Sequence, residues 1–365
     1  MTETPSVSVI MVNFNGKADL ENCLPSVFNT DYPNFELIII DNGSTDGSRA
    51  ILRELCENEN KLKIVFSAQN LGFAEANNVA YASAEGEFIA LLNCDTVVSS
   101  NWLKELIETL TKDKTIGIAQ SKLLCLYDPA LIDSTGDLVH PCGSSIPRGW
   151  GEKDLGQYDN QPEIFSARGA AMIIRRDLIR KIGFFDPVYF MSYEDIDLGW
   201  RTRLAGYKVT FAPSSIVYHR GVETCNKTYA MKMYNTYKNQ YMTLLKNYEI
   251  ANVLRFTPQF MVVNLVKILT SLTIQGNKLT RSVPFTFRFK LTLGIIKAPM
   301  YVVKNFRSIW NKRMIVQQKR QVPDKVLLRS MSQLSLAAFI LNIRTSQLRM
   351  SSEYSKANKL PAKCF

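Results

Sequence analysis

The first hundred residues alternate continuous apolar runs with segments of helical spacing. The apolar runs are rich in β-branched residues: Val7–Val12, Phe35–Ile40, Leu62–Phe66 and Phe88–Leu92. The segments between them have a helical pattern: Lys17–Phe28, Ser48–Glu57 and 71–83. Apolar runs of this kind separated by helices predict a parallel sheet that is buried on both faces. We therefore expect an α/β fold in which helices flank a mostly parallel sheet.

The pattern becomes less regular after residue 115. Residues 115–170 are rich in Pro and Gly and predict a long loop region around a few strands. A strand at Ala171–Ile174 and a short helix at Asp177–Lys181 are expected next. Glu194–Ala205 predicts a longer helix, because acidic residues in the first turn complement the helix dipole. Lys208–Phe211 predicts a further strand.

Two apolar stretches, 260–274 and 291–303, follow a predicted helix at Tyr229–Tyr248. Each stretch is interrupted by polar or charged residues and is shorter than the roughly 20 residues that a membrane-spanning helix needs. Three interpretations of these stretches are open. They could be core helices of a second subdomain, helices that lie on a membrane surface with snorkelling Lys and Arg, or membrane-spanning helices. We favour helices that lie on the surface without crossing it.

Charge divides the chain into two unequal parts. Residues 1–225 carry 20 Lys and Arg against 30 Asp and Glu, whereas residues 226–365 carry 24 against 3. The sequence therefore predicts an α/β domain at 1–225 and a basic, mainly helical region at 226–365. A region this basic favours a polyanionic partner, either anionic lipid or nucleic acid. The few aromatic residues after 280 offer no stacking platform, so we expect an anionic membrane surface and no nucleic acid.

Cysteine usage and the start of the chain bear on its location. The seven Cys include no C-x-x-C pair and there are only two His, which disfavours a Cys/His zinc site. Widely spaced Cys suit reduced thiols in the cytosol. No signal-peptide pattern precedes the first strand. We expect a cytoplasmic protein.

Polar residues follow several predicted strands directly, namely Asn13, Asp41, Asn70 and Asn93–Asp95. Sites on parallel sheets lie at the carboxyl ends of the strands, so these residues are candidates for one site. Asp41 begins a Gly- and Ser-containing turn and is placed to bind a ribose or a base edge. An Asx turn with a helix cap is the alternative for Asp41.

Other carboxylates are candidates for metal binding and proton transfer. Asp95 is placed to hold Mg²⁺ or Mn²⁺ against a diphosphate, although a simple strand-to-loop Asp has the same pattern. Glu194, Asp195 and Asp197 lie within four residues, and such crowding raises the pKa of at least one carboxyl, as a general base requires. A charged first helical turn is the alternative for this cluster.

Two basic residues have equally open interpretations. His219 ends a predicted strand and is a candidate ligand of a metal or a phosphate, or a structural histidine. Arg201 faces a phosphate or pairs with the acidic cluster. The sequence contains no Walker loop, no G-x-G-x-x-G and no convincing nucleophilic triad, which disfavours P-loop chemistry and hydride transfer.

Six motifs follow one another across residues 7–220. They are Val9-Ile10-Met11-Val12-Asn13-Phe14-Asn15, Asp41-Asn42-Gly43-Ser44-Thr45-Asp46, Asn70-Leu71-Gly72-Phe73-Ala74-Glu75-Ala76-Asn77-Asn78, Leu92-Asn93-Cys94-Asp95-Thr96, Gly183-Phe184-Phe185-Asp186 and Glu194-Asp195-Ile196-Asp197-Leu198-Gly199-Trp200-Arg201. In this order they resemble the motifs of family-2 glycosyltransferases with the GT-A fold, and most of all the rhamnosyltransferase-type members. The region after 226 resembles the family only loosely.

The resemblance implies a role for each matching residue. Asp195 would be the catalytic base, with Glu194 and Asp197 on the acceptor side, and Asp95 with His219 would hold Mg²⁺ or Mn²⁺. The remaining residues would bind the nucleotide-diphosphate sugar donor: Asn13, Asn15, Asp41, Asn70, Gly72, Phe73, Asn77, Asn93 and Arg201.

Two residues of the implied metal motif depart from the family pattern. Asn93 replaces its first carboxylate, so metal binding would depend on Asp95. Cys94 replaces the usual Pro of the rhamnosyltransferase type. The Gln-x-x-Arg-Trp motif of processive synthases is absent from the sequence, which favours one sugar addition per encounter.

These observations predict an inverting glycosyltransferase of cell-envelope polysaccharide synthesis. It would move a hexosyl or rhamnosyl group from a nucleotide diphosphate to a hydroxyl of a glycan or lipid-linked glycan. Its basic half would bind the inner face of the cell membrane peripherally. The alternatives are a nucleotidyltransferase and a nucleotide-sugar-, lipid- or nucleic-acid-binding protein on a catalytically weak GT-A scaffold.

Overall fold

A computed structural model describes residues 4–58, 61–221, 226–273, 285–342 and 345. Eleven strands run through these residues: β1 Val7–Asn13, β2 Phe35–Asp41, β3 Leu62–Phe66, β4 Phe88–Leu92, β5 Thr96–Val98, β6 Ile116–Cys125, β7 Asp128–Ser134, β8 Asp137–Val139, β9 Ser145–Pro147, β10 Ala171–Arg175 and β11 Lys208–His219. The helices of the same residues are α1 Lys17–Phe28, α2 Ser48–Asn58, α3 Gly72–Tyr81, α4 Trp102–Lys112, α5 Arg176–Ile182, α6 Glu194–Leu204, α7 Asn226–Asn247, α8 Ile250–Thr273, α9 Phe285–Lys304, α10 Phe306–Gln318 and α11 Asp324–Leu327.

Nine of the described strands form one mixed sheet. Its order is β3-β2-β1-β4-β10-β6-β11-β5, with β7 paired to β6. Strands β1 to β4 are parallel to one another, as the apolar runs predict. Strand β10, however, is antiparallel to both β4 and β6. The start of β10 therefore lies at the same edge of the sheet as the ends of β1, β2 and β4.

Helices cover both faces of the sheet, and each face has its own hydrophobic core. In β1, Val9 and Met11 pack into one core, whereas Ile10 packs into the other. This alternation follows from the two-residue period of a strand, and it explains why the run is apolar throughout. Trp102 of α4 is fully buried in the first core, and Trp200 of α6 is fully buried in the second.

Helix α7 packs against the sheet domain and belongs to the same core as Trp200. The amide nitrogen of its Asn239 donates to the carbonyl oxygens of Tyr189 (2.9 Å), Met191 (3.0 Å) and Ser192 (2.6 Å). Three non-glycine residues of this segment have positive φ angles: Phe190 (60°), Ser192 (68°) and Tyr193 (72°). Such angles cost on the order of 1 kcal/mol or more each, so α7 stabilises a strained segment directly before α6.

The predicted boundary at residue 225 falls on 222–225, outside the described residues, and so does residue 274 at the end of the first apolar stretch. Helices α8 and α9 place one face in the core, through Val253, Phe260 and Val263 of α8 and Ala298 and Val302 of α9. Within the part of the chain that the structure describes, no helix combines the length and the apolar character needed to cross a bilayer.

Candidate active site

The ends of β1 and β2 bring two predicted residues together. Asn13 and Asp41 are register partners, and the Asn13 amide nitrogen donates to the Asp41 carboxylate at 3.0 Å and to Ser44 Oγ at 3.1 Å. Burial raises the pKa of Asp41, but hydrogen bonds from Ser44, Arg49 and Asn13 outweigh it and lower the pKa below its ordinary value. The carboxylate is therefore charged at neutral pH and fixes the turn after β2.

Asn15 connects the loop after β1 to the same turn. Its backbone N–H donates to Ser44 Oγ at 2.9 Å, and its side-chain oxygen accepts from the Thr45 N–H at 2.7 Å. An open cleft beside Asn15 is also lined by Lys17, Asp46 and Arg220. Asn15 and this cleft form the solvent-facing side of the candidate nucleotide pocket.

The residues predicted to shape the donor side build the loop that leads into α3. The Asn70 side-chain oxygen accepts from Asn42 Nδ2 (3.0 Å) and from the Gly72 N–H (2.8 Å). Gly72 has a φ of +80°, and a Cβ there would lie 2.5 Å from Phe190. Only glycine fits this close approach between the loop and the segment before α6.

Phe73 and Asn77 lie on the first turns of α3. The Asn77 side chain is buried, and its nitrogen donates to the Phe73 carbonyl at 2.8 Å. The Phe73 ring packs near Gly169 and lies 6.0 Å from the Phe185 ring. Through these contacts the Phe73 ring fills the space between α3 and the start of β10.

Asp95 and His219 come together at the edge of the sheet. His219 Nε2 lies 3.4 Å from an Asp95 oxygen, and His219 Nδ1 lies 2.9 Å from Asp133 Oδ2. Burial lowers the pKa of His219, but the opposing effect of Asp133 and Asp95 is larger and raises this pKa to about 10. The side chain of Asp95 remains 19% exposed.

This group would hold a divalent cation through Asp95 and, once the metal displaces the proton on Nε2, through His219. A carboxylate on one ring nitrogen orients the other nitrogen of a metal-binding histidine, as Asp133 does for His219. Asp95 adds a hard oxygen ligand. Among the described residues no group of three or more His, Cys, Asp or Glu has the arrangement of a metal site. Asn93 is half-buried beside them, with its backbone carbonyl accepting from Thr96 Oγ1 at 2.7 Å.

Glu194 and Asp195 open helix α6 next to the start of β10. Asp195 Oδ2 accepts from the Gly169 N–H at 3.3 Å. Glu194 is 6% exposed, and its Oε2 has no hydrogen-bond partner among the described residues. Burial, and then the neighbouring Asp195, raise the pKa of Glu194 to about 8. Burial also raises the pKa of Asp195, although Arg168 opposes the shift.

The structure adds two cations that the sequence patterns do not identify. Arg168 immediately precedes Gly169 and lies 3.8 Å from Asp137, a buried carboxyl whose pKa burial raises to about 7. Lys232 of α7 is desolvated, which lowers its pKa, and Arg168 lowers it further. Asp95 and Asp195 both attract Lys232 electrostatically. Arg168 therefore acts electrostatically on the candidate base, and Lys232 acts on both the candidate base and the candidate metal ligand Asp95.

Arg201 and Asp197, which the sequence predicts to bind the donor and to serve the acceptor side, are buried in the interior and pair with each other. Arg201 Nε is 2.8 Å from Asp197, and the guanidinium also donates to the carbonyls of residues 182–184. Lys246 Nζ lies 3.2 Å from the same carboxylate. Burial raises the pKa of Asp197, but Lys246 and Arg201 hold it far below its usual range. Both residues are occupied in a structural ion-pair network.

Residues 8–183 match the family model described as glycosyl transferase family 2. Glycosyltransferase AglE of Haloferax volcanii is 26% identical over 231 residues, which are 60% of this chain and 68% of that protein. The O-antigen biosynthesis protein RfbC of Myxococcus xanthus is 28% identical over 59% of this chain. This chain spans only 17% of that protein and 36% of an uncharacterized glycosyltransferase of Haemophilus influenzae.

A solved structure with a similar fold is that of the mannosyltransferase PcManGT from Pyrobaculum calidifontis in complex with GDP-Man and Mn²⁺. It has a TM-score of 0.53 at 17% identity and covers 81% of this chain and 88% of that one. The predicted α/β class with a GT-A fold and a C-terminal helical region is confirmed. Residues 8–183 are therefore similar to glycosyl transferase family 2, whereas the rhamnosyltransferase type stays a prediction.

Proposed function

Since residues 8–183 match glycosyl transferase family 2, we propose that this protein transfers a sugar from a nucleotide-diphosphate donor to a hydroxyl of a glycan or lipid-linked glycan, with inversion. One observation carries the proposal. Glu194 and Asp195 of the raised-pKa pair, and Asp95 of the candidate metal group, all act electrostatically on the same cation, Lys232. A base and a diphosphate-binding group on either side of a sugar are what direct displacement requires.

Asp195 takes the proton of the acceptor hydroxyl as the new glycosidic bond forms. A carboxylate with a raised pKa accepts a proton near neutral pH better than an ordinary one. Gly169 fixes one of its oxygens through the backbone N–H. Glu194 lies next to it on the acceptor side, and the negative charge of Asp195 helps to keep the Glu194 carboxyl protonated.

Asp95 and His219 would hold Mg²⁺ or Mn²⁺, with Asp133 orienting the imidazole. A bound divalent cation supplies charge stabilisation to the departing diphosphate. Arg168 and Lys232 supply positive charge in the same space without a metal. Desolvated cations stabilise a departing diphosphate more strongly than exposed ones, because water screens them less.

The nucleotide lies at the ends of β1 and β2 in this proposal. Asp41, Asn13 and Asn15 form its pocket, and the loop built by Asn70 and Gly72 closes one side. The remaining donor-side residues, Phe73, Asn77 and Asn93, shape the pocket. Asn77 does so through the fold of α3, because its amide is hydrogen-bonded within the helix.

We further propose a hexosyl or rhamnosyl donor and a role in envelope polysaccharide synthesis at the inner face of the membrane. The name of the Myxococcus xanthus relative, an O-antigen biosynthesis protein, supports an envelope glycan as product. The net charge of +21 on residues 226–365 supports peripheral binding to anionic lipid.

The substitution Asp195→Asn tests the proposal, because it keeps the shape of the side chain and removes its ability to take a proton. We expect the transfer rate to fall about 10²- to 10⁴-fold. Binding of the nucleotide sugar, measured by calorimetry after a screen for protection against heat, should be kept. Asp113→Asn changes an exposed carboxylate and is the matched control. Unchanged turnover in Asp195→Asn would remove this residue from the mechanism.

A further inference from the structure

Helices α9 and α10 expose an unbroken row of large apolar side chains. The row comprises Met300, Val303, Phe306, Trp310 and Met314, and we call it the α9–α10 stripe. Its members are spaced by three or four residues, so they lie along one side of the two consecutive helices. Met300 is 64% exposed and Val303 76% exposed. Exposed apolar surface of this continuity marks an interaction site.

The stripe is not the core-facing side of these helices. Ile295, Ala298 and Val302 of α9 and Ile309 of α10 are buried and pack against the body of the protein. An amphipathic helix with one apolar face would present polar residues on the other face. These two helices are apolar on the core-facing side and also on the exposed side. A helix whose exposed side contacts only water would have polar residues there.

Charge around the stripe indicates the chemistry of its partner. No Asp or Glu occurs between Glu249 and Asp324. The basic side chains of Lys297, Lys304 and Arg307 are exposed next to the stripe. Apolar contacts bordered only by positive charge complement a surface with an apolar interior and negatively charged headgroups.

Aromatic residues in the stripe favour a lipid surface as well. The rings of Phe306 and Trp310 lie 5.5 Å apart, and the guanidinium of Arg313 is 5.5 Å from the Trp310 ring. Trp is enriched where one end of a side chain meets hydrocarbon and the other meets water.

Helix α10 is firmly attached to the body that carries the active site. Arg313 donates to the carbonyls of Leu245 and Tyr248, each at 2.5 Å. Lys312 Nζ lies 2.5 Å from Asp186, which also binds Lys246 of α7. Helix α7 extends from these contacts to Lys232 at the candidate active site. A surface bound by the stripe is therefore held in a fixed orientation to that site.

We propose that the α9–α10 stripe lies in the headgroup region of an anionic bilayer, with both helices along the membrane surface. The proposal names the surface and the lipid class for the proposed function, on which it rests: a bilayer so placed presents a lipid-linked acceptor to the active site. Met300, Val303, Phe306, Trp310 and Met314 enter the apolar boundary. Lys297, Lys304 and Arg307 meet lipid phosphates.

Co-sedimentation of the full chain with vesicles tests the proposal without any sugar transfer. We expect binding to phosphatidylcholine vesicles that contain 30% phosphatidylglycerol, weaker binding at 0.5 M salt, and little binding to phosphatidylcholine alone. The double variant Phe306→Ser/Trp310→Ser should bind the anionic vesicles at least about tenfold more weakly, because it removes buried apolar area. The double variant Lys304→Gln/Arg307→Gln should bind the anionic vesicles more weakly, and its binding should depend less on the salt concentration.

Leu155→Ser is the matched control, because Leu155 is an 83% exposed apolar residue of the loop region before β10. It should bind vesicles as the unaltered protein does, and thermal unfolding should confirm that every variant is folded. Wild-type affinity in the Phe306→Ser/Trp310→Ser variant would overturn the proposal. So would sedimentation-velocity data showing a dimer that this variant dissociates, because a second copy would then cover the stripe. Vesicle binding by a protein that transfers no sugar would overturn the proposed function and leave this proposal standing.

Discussion

Asp197→Ala separates a structural role from a catalytic role for the buried carboxylate of α6. In the structure Asp197 accepts from four groups: Arg201 Nε at 2.8 Å, Lys246 Nζ at 3.2 Å, Asn247 Nδ2 at 3.1 Å and Tyr189 OH at 3.2 Å. The side chain is 1% exposed. Alanine would leave two buried cations without the carboxylate they share.

The loss of stability in Asp197→Ala depends on which partners the two cations keep. Removing one partner of a buried ion pair costs about 3–5 kcal/mol. Lys246 keeps Asp186 at 3.1 Å, and Arg201 keeps three backbone carbonyls, so the lower value of about 3 kcal/mol applies. The unfolding entropy of a chain of 365 residues is about 0.8 kcal/mol per degree. We therefore expect Tm to fall by about 4 °C.

Calorimetric unfolding gives Tm, and initial transfer rates well below Tm give activity per folded molecule. The variant should keep its activity at low temperature. Asp113→Ala, which breaks an exposed pair with Lys208, should leave Tm unchanged within error. An unchanged Tm together with lost transfer would refute the structural role, and Asp197 would return to the acceptor side.

Three further experiments address the site itself. Lys232→Met should lower kcat/KM for the donor about tenfold, whereas exposed Lys325→Met should not, and equal kinetics in both variants would exclude Lys232 from the site. Glu194→Gln should flatten the pH dependence of stability. The pKa of Glu194 is raised in the folded state to about 8, so its contribution is full at acid pH and is lost as pH rises to about 8. Melting curves from pH 5 to 9 measure this loss, and identical slopes in both proteins would contradict it. EDTA should abolish transfer and Mn²⁺ or Mg²⁺ should restore it, with Asp95→Ala needing more metal, whereas full activity in EDTA would argue against a metal at Asp95.

The first four strands could be predicted from sequence because each is buried on both faces. Leu62–Phe66 and Phe88–Leu92 have the predicted bounds, and Val7–Val12 differs from β1 by one residue. Helix α1 also begins and ends where its pattern predicts. Continuous apolar runs mark such strands at both ends, so the strand-end residues Asn13 and Asp41 could be placed as well.

Arg168 and Asp133 could not be placed in the site, because their positions depend on strand direction. A parallel β10 would put Arg168, just before its start, at the opposite edge from Asp95. The strand is antiparallel, and Arg168 therefore lies at the same edge. Asp133 reaches His219 through β7, which is antiparallel to β6 in a region predicted as a long loop region around a few strands. Periodicity within one strand carries no information about the direction of its neighbour.

Lys232 was missed for a different reason. Its segment was predicted as a helix, Tyr229–Tyr248, close to the observed Asn226–Asn247. The high positive charge of the surrounding region favoured a membrane role for all its lysines. Only tertiary packing of α7 against the segment before α6 places this one lysine among carboxylates.

The three hydrogen bonds from Asn239 to residues 189–192 affect where this chain can be cut or recombined. The strained backbone before α6 is stabilised by hydrogen bonds from α7, a helix that begins after residue 225. A fragment that ends at 225 would keep every sequence motif of the family, yet it would lose the part that shapes the entrance to the catalytic helix. Exchange of specificity between relatives should therefore use a crossover after α7, beyond Asn247, so that the motif-bearing half and its supporting helix are inherited together.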